Sequence, residues 1–510
     1  MKKIRLILGD QLNSKHSWFN TQDDEVIYLM AEMRQETDYV KHHIQKVVAF
    51  FLSMRNFKEE LTAKGHQFLY FKISDKDNPH KLEKIVQKVI EKSGAEKFEY
   101  QLLDEYRLDE QLKKICSDLD IETEAFDTEH FFTKREELKD FFEGKKQLIM
   151  ENFYRMMRKK HDIMMVNGQP DGGKWNFDHN NRKKWPGSPE IPRERGFRKD
   201  ISSILEEIKK AGVNTFGNIA PDNFNWPTSR ADSLSVLNYF CKKLLVHFGD
   251  FQDAMHTKEK YLFHSRLSFA MNCKMLSPKE VIEKVLEHYY EHTDEIDISQ
   301  VEGFVRQILG WREYMRGIYW KEMPNYRKLN ELDNNNPLPD FFWTGKTKMN
   351  CLSHAIGQSL DDAYAHHIQR LMIIGNYALL TQTNPDEVDN WYLGVYIDAI
   401  EWVEITNTRG MSQFADGGIV ATKPYVSSAN YINKMGNYCK ECQYSHTKKI
   451  GEDACPFNAL YWNFLDEKKD YFKNNQRMAM MLNLLKKKDL TELQQLKDRA
   501  ADVISNPDKF

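Results

Sequence analysis

Cys439 and Cys442 stand three positions apart, and twelve residues separate Cys442 from Cys455-Pro456. Two thiolates one turn apart can grip a single metal centre, and a cysteine followed at once by proline is a ferredoxin-type ligand feature. A fourth ligand is required, for which Cys351, Cys273, Cys241 and His446 are the candidates. The spacing suits either a structural zinc or an iron–sulfur cluster. A redox Cys-x-x-Cys would need a βαβ setting, which this stretch lacks. Cys116, Cys241 and Cys273 sit in apolar or helical surroundings and read as small buried hydrophobes.

Three further groupings could do chemistry. His264-Ser265-Arg266-Leu267-Ser268 offers hydroxyls, a guanidinium and backbone N–H groups at a helix start, a set that suits an anion. The same Ser-Arg-x-Ser pattern also serves as a plain helix cap. His366-His367 has the proton affinity for transfer near neutral pH but poor spacing for a metal. On a helix, Arg370 lies four beyond His366, while Leu371 and Ile374 share a face with His367. Asp398 and Glu404, six positions apart, are either site carboxylates or ordinary helix-surface ones.

The elements that must position these groups fall into two kinds. Over the first ~130 residues, strand-length apolar runs (Ile4–Leu8, Val26–Met30, Phe68–Ile73, Phe98–Leu103, Ile121–Phe126) alternate with amphipathic stretches (Tyr39–Ala63, His80–Lys92, Asp109–Leu119). That rhythm predicts a doubly wound parallel α/β sheet with helices on both faces. Its ligand rim lies beyond the strand carboxyl ends, where Gly9-Asp10-Gln11-Leu12 falls. From residue 232 onward, apolar positions repeat at helical spacing, as in Val281, Val285, Tyr289 and Val301, Val305, Leu309, which predicts an all-α domain. Met478 to Ile504 reads as a closing helix or two. The expected domains are 1–140, a linker over 141–231, and 232–510.

The linker is unusual. Between Arg155 and Lys199, twelve Lys/Arg face five Asp/Glu, with Trp175, Phe177 and Trp185 interleaved. Basic groups neutralise phosphates and aromatic rings pack on bases; a solvated strap joining two domains would have the same composition.

Composition narrows the class. The chain has 510 residues, 41% apolar and 29% charged, with a net charge of -3. This is a globular balance, too long for one simple core. It excludes a protein that is basic throughout but not one with a local nucleic-acid patch. No run of ~18 apolar residues exists, and Arg5 and Asp10 break the N-terminal apolar run too early for a signal peptide. A cytoplasmic protein with no membrane contact is expected.

His264–Ser268 followed by Leu276-Ser277-Pro278 resembles the flavin-phosphate loop of the photolyase/cryptochrome family, T-S-R-L-S then L-S-P. Arg306-Gln307-Ile308-Leu309-Gly310-Trp311-Arg312-Glu313-Tyr314 is similar to that family's W-R-E-F/Y helix. The cysteine set together with the Gly9-Asp10-Gln11-Leu12 start resembles the prokaryotic iron–sulfur branch, which includes (6-4) photolyases. The resemblance runs the length of the chain in the right order.

It implies an N-terminal α/β antenna domain, a long interdomain linker with a DNA-contacting loop, and a helical FAD domain. FAD would be held by Ser265, Arg266, Leu267, Ser268, Gln307, Arg312, Asp398 and Glu404. His264 replaces the family's usual Thr, and Glu404 stands where classical CPD enzymes carry Asn facing the flavin N5. A 4Fe-4S cluster would sit on Cys351, Cys439, Cys442 and Cys455, stapling the C-terminal helices. Trp391, Tyr392 and Trp343 would relay electrons to the flavin, although a helical core also needs large aromatics. A ribityl-lumazine antenna, 6,7-dimethyl-8-ribityllumazine, would lie near Gly9, Asp10, Gln11, Glu32 and Glu36.

The implied activity is light-driven repair of the pyrimidine–pyrimidone (6-4) lesion in UV-damaged DNA by a monomer. Photoexcited FADH⁻ would give an electron to the lesion, His366 a proton with His367 as its partner, and the electron would return after bond rearrangement. The lesion must be flipped out of the duplex, as photolyases do with their substrates. Asp178 could hold a divalent cation against a DNA phosphate. A cryptochrome-like photoreceptor with the same cofactors and a zinc-dependent DNA-binding protein are the alternatives.

Overall fold

The computed structural model describes all 510 residues. Five strands, β1 (Lys3–Leu6), β2 (Val26–Ala31), β3 (Gln67–Phe71), β4 (Lys97–Gln101) and β5 (Glu122–Phe126), form one parallel sheet in the order β3-β2-β1-β4-β5. The expected strands are all present. The connections run outward from β1 in one direction and then in the other, so the switch point opens between the carboxyl ends of β1 and β4.

The two faces of the sheet are covered differently. Helices α1 (Ile44–Ala63), α2 (Leu82–Ser93) and α3 (Tyr106–Ser117) join the strands. α2 buries one stripe, Leu82, Ile85, Val86 and Val89, and ends on Gly94 at φ +65°, whose N–H reaches Ile90 O. With α3 it closes a core of sixteen residues over Ile4, Leu6, Leu29 and Phe98. The opposite face, with Ile7, Val26, Tyr28 and Met30, packs on α1. α1 is buried over most of its length. Val47, Val48, Phe51, Met54, Phe57 and Leu61 belong to a core of 116 residues that continues into the helical half.

The segment 141–231 is more ordered than its composition suggests. It contains α4 (Met150–His161) and α5 (Ser202–Lys210). α4 buries Phe153, Tyr154 and Met157 and places Arg158, Lys159, Lys160 and His161 at its carboxyl end, where the helix dipole favours cations. α5 returns to the sheet domain through Glu207, which pairs with Arg55 at 2.6 Å and Lys72 at 3.2 Å. Thr215–Phe216 adds a short parallel pairing with His42–His43. The segment thus straps both halves together, reaching the sheet domain through Glu207 and Thr215–Phe216 and the helical half through Asp178 with Arg306 and Glu194 with Arg266. Lys159, Lys160, Lys174, Lys183 and Lys184 stay exposed, while Arg158 is buried.

The helical half includes α6 (Pro278–Glu291), α7 (Ile298–Val305), α8 (Glu313–Glu322), α9 (Asn350–Asp362), α10 (Pro385–Val395), α11 (Pro456–Glu467) and α12 (Leu490–Ser505). α11 and α12 pack on each other, with a short helix Ala479–Lys486 before α12. Wide π-turns interrupt the helices at Arg306–Arg312, Arg370–Gly375 and Thr406–Ser412. Such turns cluster at functional sites because they re-aim side chains. No helix is long and apolar enough to cross a membrane.

Candidate functional site

The three π-turns contribute to the wall of one cavity of about 960 Å³. That is the upper range of ligand pockets. His264, Ser265, Arg266, Leu267, Ser268, Gln307, Arg312, His366, His367, Tyr392, Asp398 and Glu404 all line it, although the chain separates some of them by more than a hundred residues. Trp391 and Trp343 do not.

Asp398 is the most completely held group. Its carboxylate accepts from Arg370 Nη1 at 2.9 Å, Arg370 Nη2 at 3.2 Å and the Ser268 hydroxyl at 2.6 Å. Its backbone carbonyl accepts from Asn272 Nδ2 at 2.7 Å. Burial alone would raise its pKa; Arg370 and Ser268 outweigh burial and hold it below the ordinary carboxylate range. Arg370 also lies over the Tyr396 ring at 3.7 Å.

The Ser-Arg-Leu-Ser loop is arranged differently from the expectation of a free anion clamp. The Ser268 hydroxyl is taken by Asp398. Arg266, at φ +57°, turns its guanidinium between the Trp226 and Tyr261 rings, 4.5 and 4.2 Å away, and pairs with Glu194 of the linker at 3.1 Å. Leu267 is core, 1% exposed, and the helix that starts at Ser268 has only five residues. Ser265 keeps a hydroxyl on the cavity wall. Arg312 is a stronger anion donor, because its Nη2 bonds His130 Nε2 at 3.2 Å while Nε and Nη1 have no partner. Burial lowers its pKa to about 10, so it stays charged.

His366 does not sit inside a helix as the spacing suggested. It caps a helix start after Ala363 takes φ +52°. It is 2% exposed, and neither ring nitrogen has a protein partner. His264 stacks on it, ring centroids 4.7 Å apart and planes 14° from parallel. Burial, then His264, His367 and Arg370, depress the His366 pKa far below that of a free imidazole; burial also brings His264 and His367 to about 4. All three are neutral in this cavity.

Glu404 is its electrostatic complement. Burial first, then Asp389 and Glu401, push its pKa far above the carboxylate range against a hydrogen bond from Thr408. Its carboxyl is thereby biased toward the protonated form, and its Oε1 is buried without a partner. Burial also pushes Asp389 up to about 7 despite Arg409 at 2.7 Å.

At the cavity wall Asp178 is already neutralised, by Arg306 at 2.6 Å and Arg182 at 3.0 Å. A divalent cation there would have to displace an arginine, which runs against the expected cation site.

Tyr392 donates to Arg370 O at 2.6 Å and meets Trp391 edge-on at 5.4 Å. Trp391, fully buried, meets Phe342 at 5.2 Å. The next residue, Trp343, is 43% exposed and packs on Phe216 at 5.2 Å. The rings thus lead from the cavity to the surface.

A second cavity of about 150 Å³ occupies the switch point of the sheet. Gly9, Asp10, Glu32 and Glu36 line it, with Asp104, Glu105 and Glu401 opposite. Gln11 does not line it; its side chain closes the loop by accepting from Leu8 N at 3.0 Å and donating to Gln101 O at 3.3 Å. A Cβ on Gly9 would crowd Met54 Sδ at 3.2 Å and Phe50 at 3.3 Å. Glu32 is saturated by Arg55 at 2.7 Å, the Tyr70 hydroxyl at 2.7 Å and Ile73 N at 2.7 Å. Glu105 is raised to about 8 by burial, with Arg107 opposing. Sequence reasoning missed Lys46. Its Nζ donates to Leu393 O at 2.6 Å and Ala399 O at 2.7 Å, and Ala399 lines both cavities.

The four proposed cysteines gather at the starts of α9 and α11 and the turn between Tyr438 and Ser445. After burial, it is the other three thiols that hold Cys351 most firmly protonated. Cys241 and Cys273 instead sense Lys284 and Asp10. No three of the four sulfurs lie mutually within 4.8 Å. A tetrahedral zinc with Zn–S of about 2.3 Å would need sulfurs about 3.8 Å apart.

Comparison with known proteins bears on the chain as a whole. The family model described as "Deoxyribodipyrimidine photo-lyase-related protein" matches residues 5–226. A protein of Agrobacterium fabrum named (6-4) photolyase is 40% identical over 484 residues, 94% of this chain and 94% of its own length. Two solved structures share the fold. One is a bacterial class III photolyase from Agrobacterium tumefaciens, with a TM-score of 0.55, 14% identity and coverage of 83% of this chain and 81% of that one. The other is a Synechocystis cryptochrome, with a TM-score of 0.56, 12% identity and coverage of 97% and 93%.

Proposed function

The chain belongs to the photolyase/cryptochrome family, and we propose that it is a light-driven DNA repair lyase that reverses pyrimidine–pyrimidone (6-4) photoproducts. The observation that carries this reading is one large cavity lined by His366, Glu404 and Arg312, each of which also holds buried polar atoms without a protein partner: both nitrogens of His366, Oε1 of Glu404, and Nε and Nη1 of Arg312. Leaving such atoms without partners is costly, and a bound FAD with a flipped lesion would satisfy them.

Reduced FAD, when bound and illuminated, supplies the electron that the lesion takes up and later returns. The protein's own groups do the rest. The Asp398–Arg370 pair, braced by Ser268 and Asn272, fixes the cavity wall. Arg312 and Ser265 offer donors to anionic or carbonyl oxygens of the cofactor. Glu404, as a neutral acid, holds a proton that it can share with a ring nitrogen. His366 moves the catalytic proton through one of its two unpartnered nitrogens and takes it back, so the enzyme ends each cycle unchanged. Its depressed pKa belongs to the bare cavity; a phosphate or an electron-bearing base placed beside it would favour the imidazolium. His264 and His367 position it.

The smaller acidic cavity is the place for a ribityl-lumazine antenna, and the four cysteines for a 4Fe-4S cluster. The spread of their sulfurs supports the cluster over zinc. Tyr392, Trp391 and Trp343 form the reductive relay. The strap, with Arg182 near the cavity, grips a damaged duplex while one molecule of the protein acts alone.

Repair of defined (6-4) and CPD oligonucleotides with light on and off tests the reading. Light-dependent loss of the (6-4) lesion, abolished by His366→Ala, is expected. Flavin photochemistry without any repair would instead assign the chain to photoreception.

A further inference from the structure

We propose that His288, Glu291 and His292 form a surface site for a divalent transition ion of the zinc class, separate from both cavities and from the cysteine centre. The three residues occupy the last turn of α6 and its cap, at spacings i, i+3 and i+4, which place them on one face. One ligand atom from each lies within 4.8 Å of the others. The imidazole centroids are 4.2 Å apart.

The ligands are prepared for an ion in three respects. His292 Nδ1 lies 2.8 Å from His288 O, which makes Nδ1 the protonated nitrogen and leaves the Nε2 lone pair free. Metal-binding histidines are typically oriented by such a bond to a backbone carbonyl. The His292 backbone is pinned: its N–H donates to Tyr289 O at 2.9 Å, and its carbonyl accepts from Glu295 N and Ile296 N, both at 3.0 Å. Glu291 makes no ion pair, so its carboxylate is uncommitted, whereas the adjacent Glu287 is already paired with Lys284 at 2.6 Å.

The electrostatic setting is compatible with a cation. The carboxyl end of α6 presents the negative pole of the helix dipole. Lys242 and Lys284 act on His288, with Lys284 balanced by Glu287. Two imidazoles and one carboxylate with open positions suit zinc and its neighbours rather than magnesium or calcium, which take oxygen ligands. The ion would clip the end of α6 to the turn that leads into α7.

Equilibrium dialysis of the holoprotein against micromolar Zn²⁺, with iron measured alongside, tests the site. One more zinc per chain is expected in the wild type than in the His288→Gln/His292→Gln double variant, at equal iron content. Glu291→Gln should weaken that binding by about tenfold. Zn²⁺ should raise the Tm of the wild type and leave that of the double variant unmoved. Equal zinc stoichiometry in wild type and double variant, or no zinc uptake by the wild type, overturns the proposal.

Discussion

The imidazoles of His264 and His366 stack 4.7 Å apart, nearly parallel, inside the main cavity. One is the residue that interrupts the expected Thr-Ser-Arg-Leu-Ser pattern; the other is the proposed proton donor. Their proximity makes the protonation of each disfavour that of the other. His366→Ala should lower repair by about 10²- to 10⁴-fold while leaving the bound flavin spectrum unchanged.

Glu404 carries a pKa raised on folding. The stability it contributes is complete below the unfolded carboxyl pKa and fades as pH rises toward its folded value. Glu404→Gln, neutral at every pH, removes this dependence. Flavin-release melting curves from pH 5 to 9 should fall more steeply for the wild type, by up to about 1.4 kcal/mol per pH unit. Parallel curves for the two proteins would contradict the neutral-acid assignment.

Trp391→Phe should slow flavin photoreduction by external donors at least about tenfold yet leave repair by chemically pre-reduced enzyme near wild type. A loss of both would mean that Trp391, buried between Phe342 and Tyr392, serves packing alone.

Cys351→Ser removes the proposed ligand on α9. Loss of iron and of brown absorbance is expected, together with destabilisation of about 3 kcal/mol or more, read as a lower midpoint of denaturation. Cys241→Ser, buried beside Lys284 and Glu287 instead, should keep the iron.

Lys46→Met leaves the Leu393 and Ala399 carbonyls without their buried donor. A cost of about 1–3 kcal/mol is expected, measured by denaturant titration, with weaker retention of ligands in both cavities.

The sheet was legible because strand and helix periods alternate from Val26 to Phe126. The helices at 150–161 and 202–210 were hidden by neighbouring Asn, Gly and charge, although Phe153 and Met157 carry the period. The π-turns leave no separate mark on a 3.6-residue pattern, so the helical placement of His366 failed where the backbone turns at Ala363. Cys351 was selected by family resemblance rather than by spacing. The partners that define the site lie far apart in the chain: Arg370 with Asp398 across 28 positions, Lys46 with Ala399 across 353. Local pattern carries no information about such pairs, and neither the Arg266–Glu194 pairing nor the neutralised Asp178 could be read before the strap was placed.

Because α1 shares its core with the helical half, the sheet is not a detachable accessory. A chain trimmed to begin at residue 232 would uncover an apolar surface with no solvent-tolerant side and would strip two interior carbonyls of their only ammonium donor. A minimal flavin-binding fragment is therefore not obtainable by truncation, and any shortening of this protein has to start from its loops.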